Sequence, residues 1–111
     1  MSTFSKVLLS GSTDGKPIHV TASGTPGNII HTSVASPSLD EVWLYAMNKT
    51  AVTVNLTLEY GDSACIVAAG VPSLDGLHLI VPGFPLNNSE IIRAFATASG
   101  IDVYGFINRI T

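Results

Sequence analysis

The chain has 111 residues, of which 46% are hydrophobic and only 12% charged, with a formal net charge of -3. That length supports one domain, residues 1–111, with its own core, while the scattered Lys6, Lys16, Lys49, Arg93 and Arg109 exclude the clustered basic surface that nucleic acid requires. No apolar run approaches the roughly 18 residues of a membrane span, and residues 1–6, followed only by Val7-Leu8-Leu9, are not expected to act as a secretory signal. From the N-terminus onward, turn chemistry punctuates the chain. Ser12-Thr13-Asp14-Gly15-Lys16-Pro17 separates a predicted strand at 6–10 from one at 18–22, and Gly24-Thr25-Pro26-Gly27 separates that from 28–34.

Val42-Trp43-Leu44-Tyr45-Ala46-Met47 is apolar on both faces, which predicts a central strand covered on each side or capped on its outer face by another subunit. Val52-Thr53-Val54-Asn55-Leu56-Thr57-Leu58-Glu59-Tyr60 alternates cleanly, with Val52, Val54, Leu56 and Leu58 expected inside and Thr53, Asn55, Thr57 and Glu59 in water. Asn48-Lys49-Thr50-Ala51 between them reads as a hairpin loop. Further strands fit at 65–69, 77–81, 91–98 and 101–110, with Pro82-Gly83-Phe84-Pro85 read as a break. Gly105, between aromatic residues, predicts a bulge or a close approach by another backbone. The expectation is an all-β fold, an antiparallel β-sandwich (jelly-roll-like) of about eight to nine short strands.

Little in the sequence points to chemistry. His19, His31 and His78 have no second His or Cys at the spacings of zinc sites, so three separate, hydrogen-bonded histidines are expected. The acids, Asp14, Asp40, Glu41, Glu59, Asp62, Asp75, Glu90 and Asp102, lie in or beside predicted turns and are read as turn residues. No G-x-S-x-G frame or phosphate-binding Gly-rich loop is present. The lone Cys65, in Ala64-Cys65-Ile66-Val67-Ala68-Ala69, is expected to be a buried structural thiol, which favours intracellular synthesis. The expectation is a protein that is not an enzyme and needs no cofactor or metal.

Surface coverage is the informative problem. A chain of this mass exposes roughly 5,800 Å², more than so few charges can cover, although 12 Ser, 10 Thr and 6 Asn contribute. The remainder is expected to be covered by neighbouring subunits. Trp43, Tyr45, Met47, Tyr104 and Phe106 form the candidate interface, because Trp and Tyr are enriched where proteins meet. The same aromatic rings could instead stack a sugar.

Several strings carry a resemblance. Residues 6–18 (Lys6-Val7-Leu8-Leu9-Ser10-Gly11-Ser12-Thr13-Asp14-Gly15-Lys16-Pro17-Ile18), Thr25-Pro26-Gly27-Asn28-Ile29-Ile30-His31-Thr32 and Asp40-Glu41-Val42-Trp43-Leu44-Tyr45-Ala46-Met47-Asn48 are three of them. Leu79-Ile80-Val81-Pro82-Gly83 and Tyr104-Gly105-Phe106-Ile107-Asn108-Arg109-Ile110 complete the set. Together they resemble the small β-sandwich capsid decoration (cement) proteins and related virion structural proteins of tailed bacteriophages. The resemblance implies a virion protein on the outside of a head shell that binds the major capsid protein or other virion subunits and forms a homo-oligomer, a trimer being favoured. Neither nucleic acid nor a membrane is expected as a partner, on the scattered basic residues and the short apolar runs. Two alternatives remain open: a tail or head–tail connector subunit, and a small carbohydrate-binding module using Trp43 or Tyr104.

Overall fold

The computed structural model describes residues 3–111. Nine strands follow in order: β1 (Phe4–Leu8), β2 (Ile18–His19), β3 (Asn28–Thr32), β4 (Leu39–Asn48), β5 (Val54–Tyr60), β6 (Ile66–Val71), β7 (His78–Leu86), β8 (Ile91–Ala96) and β9 (Ile101–Ile110). All pairings are antiparallel. One sheet runs β1-β9-β4-β7, with the two-residue β2 also on β9, and the other runs β3-β8-β5-β6.

The partners are nested: β1 with β9, β3 with β8, β4 with β7 and β5 with β6. This is one long hairpin, with its tip at the turn between β5 and β6, rolled so that successive strand pairs fall in opposite sheets. The protein is an all-β antiparallel sandwich with the strand order of a jelly roll. Nesting makes most contacts distant in sequence, and alternate residues of each strand then meet between the sheets. Val42, Leu44 and Ala46 of β4, Val54, Leu56 and Leu58 of β5, Ile92, Ala94 and Ala96 of β8, and Ile101, Val103 and Ile107 of β9 are buried there.

The expected hairpin between 42–47 and 52–60 does not form, because β4 and β5 lie in different sheets. Asn48 turns that corner. Its Nδ2 donates to the carbonyls of Val52 and Val71, each at 2.8 Å, while its Oδ1 accepts from the Thr50 amide at 2.8 Å and the Thr50 hydroxyl at 2.7 Å. Those bonds saturate a buried amide and hold the chain as it leaves one sheet for the other. Val52 therefore sits outside any strand at 65% exposure, against the expectation of a core position. Glu59, expected in water, is buried, because its carboxylate accepts from the Gly27 amide at 2.8 Å and the Thr25 hydroxyl at 3.1 Å.

Nor is Pro82-Gly83-Phe84-Pro85 a break. β7 continues through it to Leu86, with the register against β4 slipping at Val42/Trp43 and Leu44/Tyr45. An edge strand tolerates proline because the missing N–H can face away from the ladder, and Gly83 supplies a φ of 80°. Gly105 pairs with Leu44 in unbroken register, and a Cβ there would strike the Trp43 carbonyl. Of the two expectations for that glycine, close backbone approach is the one realised.

Candidate interaction face

β4 and β9 pair along all ten residues, and that register decides which side chains share a surface. Trp43 lies opposite Phe106, Tyr45 opposite Tyr104 and Met47 opposite Asp102. Since the even-numbered Val42, Leu44 and Ala46 fill the core, all five expected interface residues project from the outer face of the five-stranded sheet. Each is half-buried by its neighbours.

Across the middle of this face runs a row set by four strands. The Trp43 and Phe106 rings are parallel within 9° at a centroid separation of 6.1 Å, an offset arrangement that aromatic quadrupoles favour. Lys6 of β1 places its Nζ 4.8 Å from the Phe106 centroid, a cation–π contact. On the β7 side, Gly83 lies against the indole so closely that a Cβ would come within 2.8 Å of Trp43 Cζ2. Trp43 Nε1 donates to Glu41 Oε1 at 2.8 Å, and Asn108 Nδ2 donates to the same oxygen at 3.2 Å. The Trp43 and Asn108 bonds hold the Glu41 carboxyl below its ordinary range. The indole is thus fixed in orientation, not free to rotate.

The face extends beyond the five residues. Phe4 pairs with Ile110 and Leu8 with Phe106, and both are largely exposed, at 73% and 54%. Leu79 opposes Tyr45, and Pro82 opposes Trp43. The strand expected at 6–10 runs instead from Phe4 to Leu8, so Phe4 was missed, and no local pattern announces that β1 lies beside β9. At one end the apolar surface stops at a polar cluster: Asp102, itself buried, accepts from His19 Nδ1 at 2.6 Å and pairs with Lys49 Nζ at 3.1 Å. Opposite this sheet, the outer face of the other is mixed, presenting Asn55, Thr57, Ala68 and Gly70 together with Ile29, Ile66 and Phe95.

Other clusters have structural roles. His31 donates from Nε2 to Asp40 Oδ2 at 2.8 Å and accepts the Ser10 amide on Nδ1 at 3.0 Å. Arg109 donates from Nε to Asp40 Oδ1 at 2.7 Å and from Nη2 to Oδ2 at 3.1 Å. Serine, histidine and aspartate converge here, yet the free ring nitrogen takes a backbone amide rather than a hydroxyl, and His31 and Asp40 are closed to solvent. This is a clamp joining β3 of one sheet to β4 and β9 of the other. Burial lowers the His31 pKa against the opposing Asp40 bond. Burial alone would raise Asp40, but the bonds from Arg109, His31 and Val34 outweigh it and hold the carboxyl below its ordinary value.

Three expectations about these residues change. Asp40, Glu59 and Asp102 are buried strand residues rather than turn acids, each matched by donors from segments distant in sequence. Asp14, Asp62 and Asp75 do lie outside the strands. Cys65 is exposed, because the strand begins one residue later and places it at the hairpin tip. It opens onto an apolar cleft of about 690 Å³ between β6 and β7, lined by Tyr60, Ile66, Val67, Ile80, Phe84 and Leu86 among others. Among the described residues, no three His, Cys, Asp or Glu side chains are grouped to hold a metal ion, and no helix is long and apolar enough to cross a membrane.

No protein-family model, curated protein or solved structure matches this chain.

Proposed function

We propose that the protein is a structural virion subunit that binds other protein subunits through the outer face of its five-stranded sheet, its partner being the major capsid protein of a tailed-phage head. One observation carries the interaction reading: Phe4, Leu8, Trp43, Tyr45, Leu79, Tyr104 and Phe106 share one outer face while charge is confined to its rim and to Lys6 and Glu41. Monomeric proteins rarely leave such a continuous apolar surface uncovered, and a rigid indole beside a phenyl ring is the kind of anchor on which interfaces depend. The partner assignment rests on the sequence resemblance to decoration proteins. Jelly rolls serve both shells and lectins, so the fold does not choose between them.

The test mixes the purified protein with preassembled, undecorated tailed-phage shells and sediments them. Co-sedimentation at a fixed stoichiometry is expected. Phe4→Glu and Leu8→Glu, at exposed positions of the face, are expected to weaken it at least ~10-fold while leaving the melting temperature within a few degrees. Closed rings without shell binding would instead support the connector reading. A monomer retained on a glycan matrix would support the carbohydrate-binding module, with Trp43 or Tyr104 as the stacking ring.

A further inference from the structure

Independently of the shell-binding face, we propose that β6 is a self-pairing edge: two copies of the chain join β6 to β6 antiparallel about a two-fold axis at Ala68, fusing their four-stranded sheets into one of eight strands. A sandwich of two open sheets has four edges, and proteins normally protect them. Three of these edges carry a device. β1 is five residues long and bears Lys6. β3 is covered by the residues after β1, with the Gly11 amide donating to the Ile30 carbonyl at 3.0 Å and the Thr32 amide to Ser10 Oγ at 2.7 Å. β7 contains Pro82 and Pro85 and two register slips.

β6 has none of them. Ile66-Val67-Ala68-Ala69-Gly70-Val71 holds no charge and no proline, and its register against β5 is unbroken. Between Asp62 and Glu90, only Asp75 carries a formal charge.

The direction of the free backbone groups follows from β5. The Tyr60 amide donates to the Cys65 carbonyl at 2.8 Å, so odd-numbered residues of this segment turn their N–H and C=O toward β5. Ile66, Ala68 and Gly70 therefore turn theirs to the open edge. Antiparallel partners must also share a face, which requires the two residue numbers of each pair to have the same parity. Pairing Ala68 with itself satisfies both conditions. Ile66 then lies across from Gly70 of the second copy, large against small, and Val67 lies across from Ala69. Every outward N–H and C=O of Ile66, Ala68 and Gly70 gains a partner.

Apolar surface flanks the edge: Ile66 of β6 and Phe84 of β7, which line the cleft between those strands, are 58% and 64% exposed. A second copy is also the partner whose strand is complementary by construction, as isologous contacts require.

Sedimentation of the 11.6 kDa chain across a concentration series is expected to show a dimer. Ala68→Pro removes an outward N–H that the fold itself does not use, so it is expected to raise the dimer dissociation constant ~100-fold with little change in the melting temperature. Ala68→Cys in a Cys65→Ser background is expected to form a disulfide-linked dimer on oxidation, since facing Cα atoms in this register lie ~5.5 Å apart. Ala69→Cys in the same background is expected to give none, and this pair decides the matter if Ala68→Pro does not fold. A wild-type monomer at ~100 μM, a dimer unaffected by Ala68→Pro, or equal cross-linking at the two positions would overturn the proposal. Loss of shell binding by Phe4→Glu or Leu8→Glu leaves β6 intact, so the two ideas fail separately.

Discussion

His31 and Asp40 show how much one pair of side chains can decide. Together with Arg109 they tie the two sheets, and His31 also fixes the segment after β1 through the Ser10 amide. Protonating His31 puts a hydrogen on Nδ1, where it would face the Ser10 N–H. Because burial lowers the folded pKa from 6.5, the unfolded chain binds more protons between the folded value and 6.5, and stability falls as pH drops through that window. Asp40 is held below 3.8, so its contribution is present above that value and is lost as pH falls through the lower folded one. The melting temperature is therefore expected to be level above pH 7, to decline below about 6.5 and to decline again in strong acid. His31→Gln should flatten the first decline and keep the second. A parent protein with no decline down to about pH 4.5 would contradict the clamp.

Among the elements, β5 tests the side-chain pattern. Leu56 is closed to solvent while Thr57 and Val52 are not. Leu56→Ala is expected to cost about 2–5 kcal/mol, whereas Thr57→Ala and Val52→Ala should each cost under about 1 kcal/mol; chemical denaturation of the three variants measures this. A large loss at Val52 would place the start of β5 earlier than it is. The alternation at 54–58 was legible because a half-buried strand exposes one side chain in two. Its ends were not, since Val52 and Glu59 obey the same alternation, and the corner held by the Asn48 side chain for one and the distant loop at Gly27 for the other decide their burial. β7 was misread for a similar reason: proline at 82 and 85 is a break in a central strand and harmless at an edge, and strand position is a tertiary fact.

At the scale of the whole molecule, the two outer faces differ in aromatic content. The exposed surface is 5855 Å², close to what the mass predicts; Phe4, Trp43, Tyr45, Tyr104 and Phe106 gather on the outer face of one sheet, while that of the other mixes Ile29, Ile66 and Phe95 with small and polar residues. An assembly made through the aromatic face should depend little on ion pairs. Sedimentation in 1 M salt, where the Debye length is roughly 3 Å, is expected to leave shell binding within about threefold of its low-salt strength; dissociation there would show that Lys6, Glu41 and the rim charges contribute more than the apolar contacts.

By itself the sequence determined the class of fold and the membership of the central strands, because period-two alternation and turn residues are local consequences of covalent geometry and steric preference. It also singled out Trp43, Tyr45, Met47, Tyr104 and Phe106, which the structure places on one face. Tertiary structure alone decided that β4 and β5 part company at Asn48, that Asp40, Glu59 and Asp102 are buried with partners, that Cys65 is exposed and that β6 is left as an open edge. The reason is physical. Pairing in a nested hairpin joins residues many tens of positions apart, and the burial of a polar side chain depends on whether such a distant donor arrives, which no local pattern records.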